Sequence, residues 1–242
     1  MNKEDANKAR VLDKIKQYEK TGEVLATTFL DPKEIFELSS VYEKYPHYLD
    51  GGYDDAERKI LIIGKQEKDD EDDFLITLEI SSRLPLAHRA VLGSTLATGI
   101  KRDVVGDIII KDNVANMFVT KEIAKYIIQN LDQIGREKVK VKQIKTNDII
   151  DYSSSIEELT TTISSLRIDS AISACYGVSR ELSSELIKNE KVNLNYTQVS
   201  SSSKAVKEGD LISVRGYGRF EILEVVGETK KGRIRIKIKK YV

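Results

Sequence analysis

A chain of 242 residues with 40% hydrophobic and 32% charged residues has room for two or three small domains with cores of their own. It contains no run of roughly 18 apolar residues to span a membrane, and no apolar segment follows the charged start Met1-Asn-Lys-Glu-Asp5, as a secretory leader would require. The single cysteine, Cys175, excludes an internal disulfide, and the expectation is a cytoplasmic, reducing setting.

Residues 3–20 form a charged amphipathic helix, with Val11, Ile15 and Tyr18 as its inward stripe. Asp31-Pro32-Lys-Glu34 opens the next helix with an aspartate cap, a proline at the first helical position and a glutamate three residues on. Gly51-Gly52 turns the chain into the strand Glu57–Gly64. The acidic run Glu67–Asp73 reads as an exposed loop and lacks the glycine and ligand spacing of a calcium loop. Phe74–Ser81 opens a second unit as a strand. A helix over 86–99, a strand at Gly106–Ile110, the segment Asn116–Thr120, and a helix near Lys121–Gln133 follow. Lys138-Val-Lys-Val-Lys-Gln-Ile144 opens with alternating charged and apolar residues, which predicts a half-buried strand with Lys138, Lys140 and Lys142 toward solvent.

Further on, Asp169 is placed to cap a short helix that ends at a left-handed Gly177, and Ser179 to cap a second that runs to about Lys188. On the second helix Val178, Leu182 and Leu186 share one side, and Arg180, Ser184 and Lys188 the other. In the tail, Arg233, Arg235, Lys237 and Lys239 alternate with Ile234, Ile236 and Ile238. As a strand this puts cations on one face, which fits contact with nucleic acid and lysine protection of a sheet edge equally well. The net charge of zero hides an asymmetry. Residues 1–80 hold 12 Lys+Arg against 20 Asp+Glu, residues 81–161 hold 12 against 10, and residues 162–242 hold 15 against 9. A basic end on a neutral chain points to a polyanionic partner.

Leu166-Arg167-Ile168-Asp169, Ser179-Arg180, Leu186-Ile187-Lys188, Val192 through Asn195 and then Gly209–Phe220 stand in an order that resembles the alpha-L RNA-binding motif, shared by ribosomal protein S-four and many pseudouridine synthases. Two positions depart from that pattern. Glu190 stands where glycine is common in the turn, and Asn193 where the strand often carries a basic residue. Upstream, Phe29-Leu-Asp-Pro32, Gly51–Arg58, His88–Ile108 and Ile134–Val139 resemble the YlmH family, in which two α/β modules precede such a motif. The resemblance implies an α+β chain. Its parts are an N-terminal α/β module (1–75), a middle α/β RNA-binding module (76–160), and an S-four-like RNA-binding domain with a basic C-terminal strand (161–242).

Phosphate contacts supply most RNA affinity, and arginine offers a planar fork matched to phosphate oxygens. Helix N-termini add N–H donors. Arg167 and Arg180 are therefore the expected principal contacts, with Lys188, Lys191, Lys204, Arg215 and Arg219 in support. Tyr176, Tyr196 and Tyr217 are few, so recognition of RNA shape and phosphates is expected over base stacking. Two histidines and one cysteine supply neither a nucleophile pair nor a zinc cluster, and no nucleotide-cradling glycine motif is present. Asp103 and Asp107 are catalytic candidates by residue type alone. No catalysis, cofactor or metal is expected. The resemblance implies partners in rRNA and tRNA on the large ribosomal subunit, in quality control of stalled peptidyl-tRNA complexes. The alternative is a cell-division-linked adaptor that holds a protein partner through its acidic N-terminal module.

Overall fold

The computed structural model describes residues 3–69, 74–151, 156–230 and 232–241. The chain divides into two compact units, 1–152 and 153–242. Both mix helices with antiparallel sheets, an α+β architecture.

In the N-terminal unit, α1 (Lys3–Thr21) turns Val11 and Ile15 inward. The α2 helix (Pro32–Tyr42) starts as its sequence requires. The Asp31 carboxylate accepts from Glu34 N–H at 2.9 Å, and the Glu34 carboxylate accepts from Asp31 N–H at 2.8 Å. Strands β1 (Leu25–Ala26), β2 (His47–Asp50) and β3 (Ile60–Ile63) form a sheet in the order β1-β3-β2. Central β3 is an unbroken apolar run, and successive side chains of a strand face opposite ways. Leu61 and Ile63 therefore pack with Val11, Ile15, Leu38 and Tyr42, while Ile60 and Ile62 pack with Phe29, Leu75, Ile109 and Phe118.

The second of these cores is common to both halves of the unit, because Leu75, Ile109 and Phe118 belong to the next sheet. That sheet is built from β4 (Leu75–Ser81), β5 (Val105–Lys111), β6 (Val114–Thr120) and β9 (Lys140–Ile144) in the order β5-β6-β4-β9. Between them lie α3 (His88–Ala97), α4 (Lys121–Asn130) and the hairpin of β7 (Gln133–Ile134) and β8 (Glu137–Lys138). The predicted strand 138–144 is thus two elements: Lys138 pairs with Gln133 in the β7–β8 hairpin, whereas Lys140–Ile144 pair with β4. Edge strand β9 carries Lys140 and Lys142 in exposed positions, and Lys142 pairs with Glu79 at 2.9 Å. Asp70, Glu71, Asp72 and Asp73 of the acidic run lie outside the described residues. Before them, Lys68 pairs with Asp50 at 2.6 Å.

The C-terminal unit contains β10 (Ile156–Ile163), α5 (Ile168–Tyr176), α6 (Arg180–Lys188), β11 (Val192–Leu194), β12 (Thr197–Gln198), β13 (Leu211–Val214), β14 (Gly218–Glu228) and β15 (Ile234–Tyr241). Its sheet runs β10-β15-β14-β13-β11-β12. Strand β15 therefore lies between two neighbours, which overturns the edge-protection reading of the basic tail. Its alternation still sorts as expected, with Ile236 and Ile238 fully buried. Both helices pack on the sheet, with Ile168, Ile172, Leu186 and Ile187 joining Val192, Phe220 and Ile238 in one core.

Candidate nucleic-acid interface

The short helices of the C-terminal unit are positioned by their ends. Gly177 adopts the left-handed conformation (φ 65°) that ends α5, and the Ser179 hydroxyl accepts from Leu182 N–H at 3.1 Å to start α6. This α5–turn–α6 hairpin brings two arginines thirteen positions apart, Arg167 and Arg180, onto one carboxylate. Arg167 donates through Nε to Asp169 Oδ1 at 3.1 Å and through Nη2 to Oδ2 at 3.0 Å, and Arg180 Nη2 donates to Oδ2 at 2.9 Å. The Asp169 side chain is 4% exposed, against 39% for Arg167 and 47% for Arg180.

That geometry corrects one expectation. The cap position of α5 is Arg167, and Asp169 lies inside the first turn, where it accepts Ser170 N–H at 2.8 Å and the two guanidiniums. Burial pushes the Asp169 carboxyl upward, but the hydrogen bonds and charges of Arg167 and Arg180 outweigh it and hold the group below the ordinary carboxylate value. The result is a cluster with one buried negative charge and two exposed guanidiniums, net cationic. Each arginine uses only part of its donor fork on Asp169.

The helix N-termini offer less than the sequence promised. Ile168 N–H donates to Lys204 O at 2.9 Å, Ser170 N–H to Asp169, and Leu182 N–H to Ser179. Glu181 sits in the first turn of α6. Its own backbone N–H and the Ser179 hydroxyl hold its carboxyl below the ordinary value. An incoming phosphate there meets a carboxylate.

The other predicted contacts fall into separate groups. Lys204 presents its backbone to α5, beside the bridge between Arg167 and Ala205, and its side chain is exposed. Lys188 lies with Arg180 along a groove on α6. Lys191 and Arg215, both exposed, are joined by Arg215 N–H donating to Lys191 O at 2.8 Å. Arg219 lies 4.6 Å over the Tyr241 ring on the sheet. In the tail, Lys237 pairs with Glu158 at 2.7 Å and Lys240 with Glu157 at 3.6 Å, both across β10. Sequence reasoning missed the clamping role of Asp169, whose signal was a carboxylate two residues after Arg167 and ahead of Arg180. It also missed Thr162, whose hydroxyl and carbonyl hold Arg233.

Of the residues weighed for catalysis, Asp103, Asp107 and His47 have structural partners. Burial pushes the Cys175 thiol up to about 12, which keeps it protonated at neutral pH. Asp107 accepts from Tyr53 Oη at 3.1 Å and Glu57 N–H at 2.6 Å, and Asp103 pairs with Arg10 at 2.6 Å. Arg58 spans the same joint, donating to Phe29 O and Val105 O, each at 3.2 Å. Gly51–Arg58 and Asp103–Asp107 therefore tie together the β1-β3-β2 and β5-β6-β4-β9 sheets of the N-terminal unit. His47 contacts Tyr45 O through Nδ1 at 2.8 Å, and His88 is exposed at the start of α3.

A helix hairpin bearing paired arginines on an antiparallel sheet, following an α/β unit in the sequence, defines an α+β chain of two units. Residues 3–68 match the family model for the N-terminal part of YlmH, and residues 69–148 match the model described as "Putative RNA-binding domain in YlmH". A Bacillus subtilis (strain 168) protein named ribosome-associated protein quality control protein P2 is 33% identical over 217 residues, 87% of this chain and 84% of that protein. The solved structure of cell division protein ylmH from Streptococcus pneumoniae superposes with a TM-score of 0.53 at 19% identity, over 62% of this chain and 97% of that one. At that identity the likeness speaks to the fold. The chain belongs to the YlmH family.

Proposed function

We propose that this protein is a noncatalytic RNA-binding factor that docks on the large ribosomal subunit and contacts rRNA and tRNA in quality control of stalled peptidyl-tRNA complexes. The observation that carries the reading is the pair Arg167 and Arg180, both held on buried Asp169 with part of each guanidinium still exposed. A phosphate then meets two forks already oriented, and little side-chain freedom is lost on binding. Lys188 beside Arg180 and Lys204 beside Arg167 add electrostatic support to that anchor, and Lys191, Arg215 and Arg219 add attraction from other parts of the unit. The name of the Bacillus subtilis relative supports the ribosomal setting.

The test is co-sedimentation with purified large ribosomal subunits across a salt series, wild type against Arg167→Ala plus Arg180→Ala. The expected result is salt-sensitive pelleting of wild type and its loss in a double variant whose circular dichroism is unchanged. Equal pelleting of both would move the anchor to the other module. Absence of pelleting at low salt would remove the ribosomal reading and favour an adaptor working through the acidic N-terminal module.

A further inference from the structure

Arg180 borders two depressions of the C-terminal unit, and they differ in sign. One, of about 520 Å³, is lined by Asp169, Glu181 and Glu185 beside Arg180 and Lys188. Carboxylates outnumber cations there, so it is a poor seat for an anion. The other, of about 430 Å³, is lined by Arg180, Arg233 and the hydroxyl residues Thr162, Ser164, Ser170 and Ser173, and by no carboxylate. Its volume lies within the range of ~300–1,000 Å³ usual for small-ligand sites.

Arg233 is fixed in place much as Arg180 is. Its Nε donates to Thr162 Oγ1 at 3.1 Å and its Nη2 to Thr162 O at 2.7 Å, which leaves the other donors of the fork uncommitted to Thr162. The Ser173 hydroxyl donates to Val178 O at 2.6 Å and keeps lone pairs with which to accept. Two oriented guanidiniums suit phosphate oxygens, which only accept hydrogen bonds. Hydroxyls that donate and accept suit a ribose 2′-OH, which does both.

We propose that this depression is a second RNA-backbone subsite, which receives a ribose-phosphate next to the phosphate held at Arg167 and Arg180. The proposal rests on the reading of the C-terminal unit as an RNA-binding surface and extends it to Arg233, which precedes β15.

The test is equilibrium titration of labelled full-length protein with purified large ribosomal subunits in a potassium chloride series. Arg233→Gln is compared with Arg235→Gln, an exposed neighbour outside the lining that changes charge equally. Arg233→Gln should weaken binding about tenfold and flatten the slope of log K against log salt by about one, and Arg235→Gln should change affinity by less than about twofold. Ser164→Asp, at an exposed position, places a negative charge in the same depression and should weaken binding to a similar degree. Equal effects of Arg233→Gln and Arg235→Gln, or unchanged binding by Ser164→Asp, would overturn the subsite. If Arg167→Ala plus Arg180→Ala still abolishes binding in that case, the wider reading stands. Failure of wild type to bind would remove both.

Discussion

Two cationic surfaces share the C-terminal unit and are built in different ways. Around Asp169, one buried carboxylate orients two arginines, so the cluster keeps a net positive charge and a fixed geometry. Along β15, cations face carboxylates on the neighbouring strand: Lys237 meets Glu158, and Lys240 meets Glu157. Each of those pairs neutralises itself, and exposed ion pairs contribute little to stability. The Lys237–Glu158 hydrogen bond raises the lysine and lowers the carboxylate, as expected of a pair that binds its own counterion. Counting charge along the chain would rank the tail as the more cationic surface, but two of its lysines, Lys237 and Lys240, sit on carboxylates of the same sheet.

The largest expected effect separates the two surfaces directly. Arg167→Ala plus Arg180→Ala should weaken binding to large ribosomal subunits about a hundredfold, at ~1.5 kcal/mol or more for each charge-assisted contact. Lys237→Ala plus Lys240→Ala removes as many cations and should cost less than about threefold in the same titration. Losses of equal size would show that bulk charge, not orientation, sets affinity.

Acid sensitivity sharpens the same contrast. The folded-state pKa of Asp169 lies below its ordinary value of 3.8, so its stabilising contribution is complete above that value and is lost as pH falls through the lower folded pKa. Urea unfolding followed from about pH 6 to about pH 2 should show part of the acid limb disappearing in Asp169→Asn. An unchanged acid limb would mean that the carboxylate gains nothing from its arginines.

The smallest effect concerns the turn behind the clamp. Glu190 sits at the left-handed end of α6 with φ 57°, where Glu190 N–H donates to Ile187 O at 3.1 Å and Lys191 N–H to Leu186 O at 3.0 Å. A glycine adopts that conformation without the Cβ penalty. Glu190→Gly should therefore raise stability by about 1 kcal/mol, read from the unfolding midpoint, and leave RNA affinity unchanged.

Elements set by local chemistry were legible in the sequence. The Asp31–Glu34 capping box, the Ser179 cap, the left-handed Gly177 and the buried isoleucines of β15 each follow from residues within one turn or one strand. Elements set by distant pairing were not. Strand β10, Ile-Glu-Glu-Leu-Thr-Thr-Thr-Ile, has little apolar alternation and takes its form from pairing with β15 at the far end of the chain. That pairing also places Glu157 and Glu158 against the tail lysines and removes β15 from the sheet edge. At the site, Arg167 and Arg180 were legible as chemistry in a familiar order. The role of Asp169 was hidden because a carboxylate near a helix start reads locally as a cap, and only the fold brings Arg180 to it. Arg233 was visible only as one cation of four.

The most direct test of an oriented arginine pair as the anchor is the affinity of Asp169→Asn for purified large ribosomal subunits. The substitution makes the protein more positive while it removes the carboxylate that orients both guanidiniums. In a variant with unchanged circular dichroism, orientation predicts binding weakened by about tenfold, at ~1.4 kcal/mol, despite the added charge. Tighter binding would contradict the account and show that charge alone draws the protein to RNA.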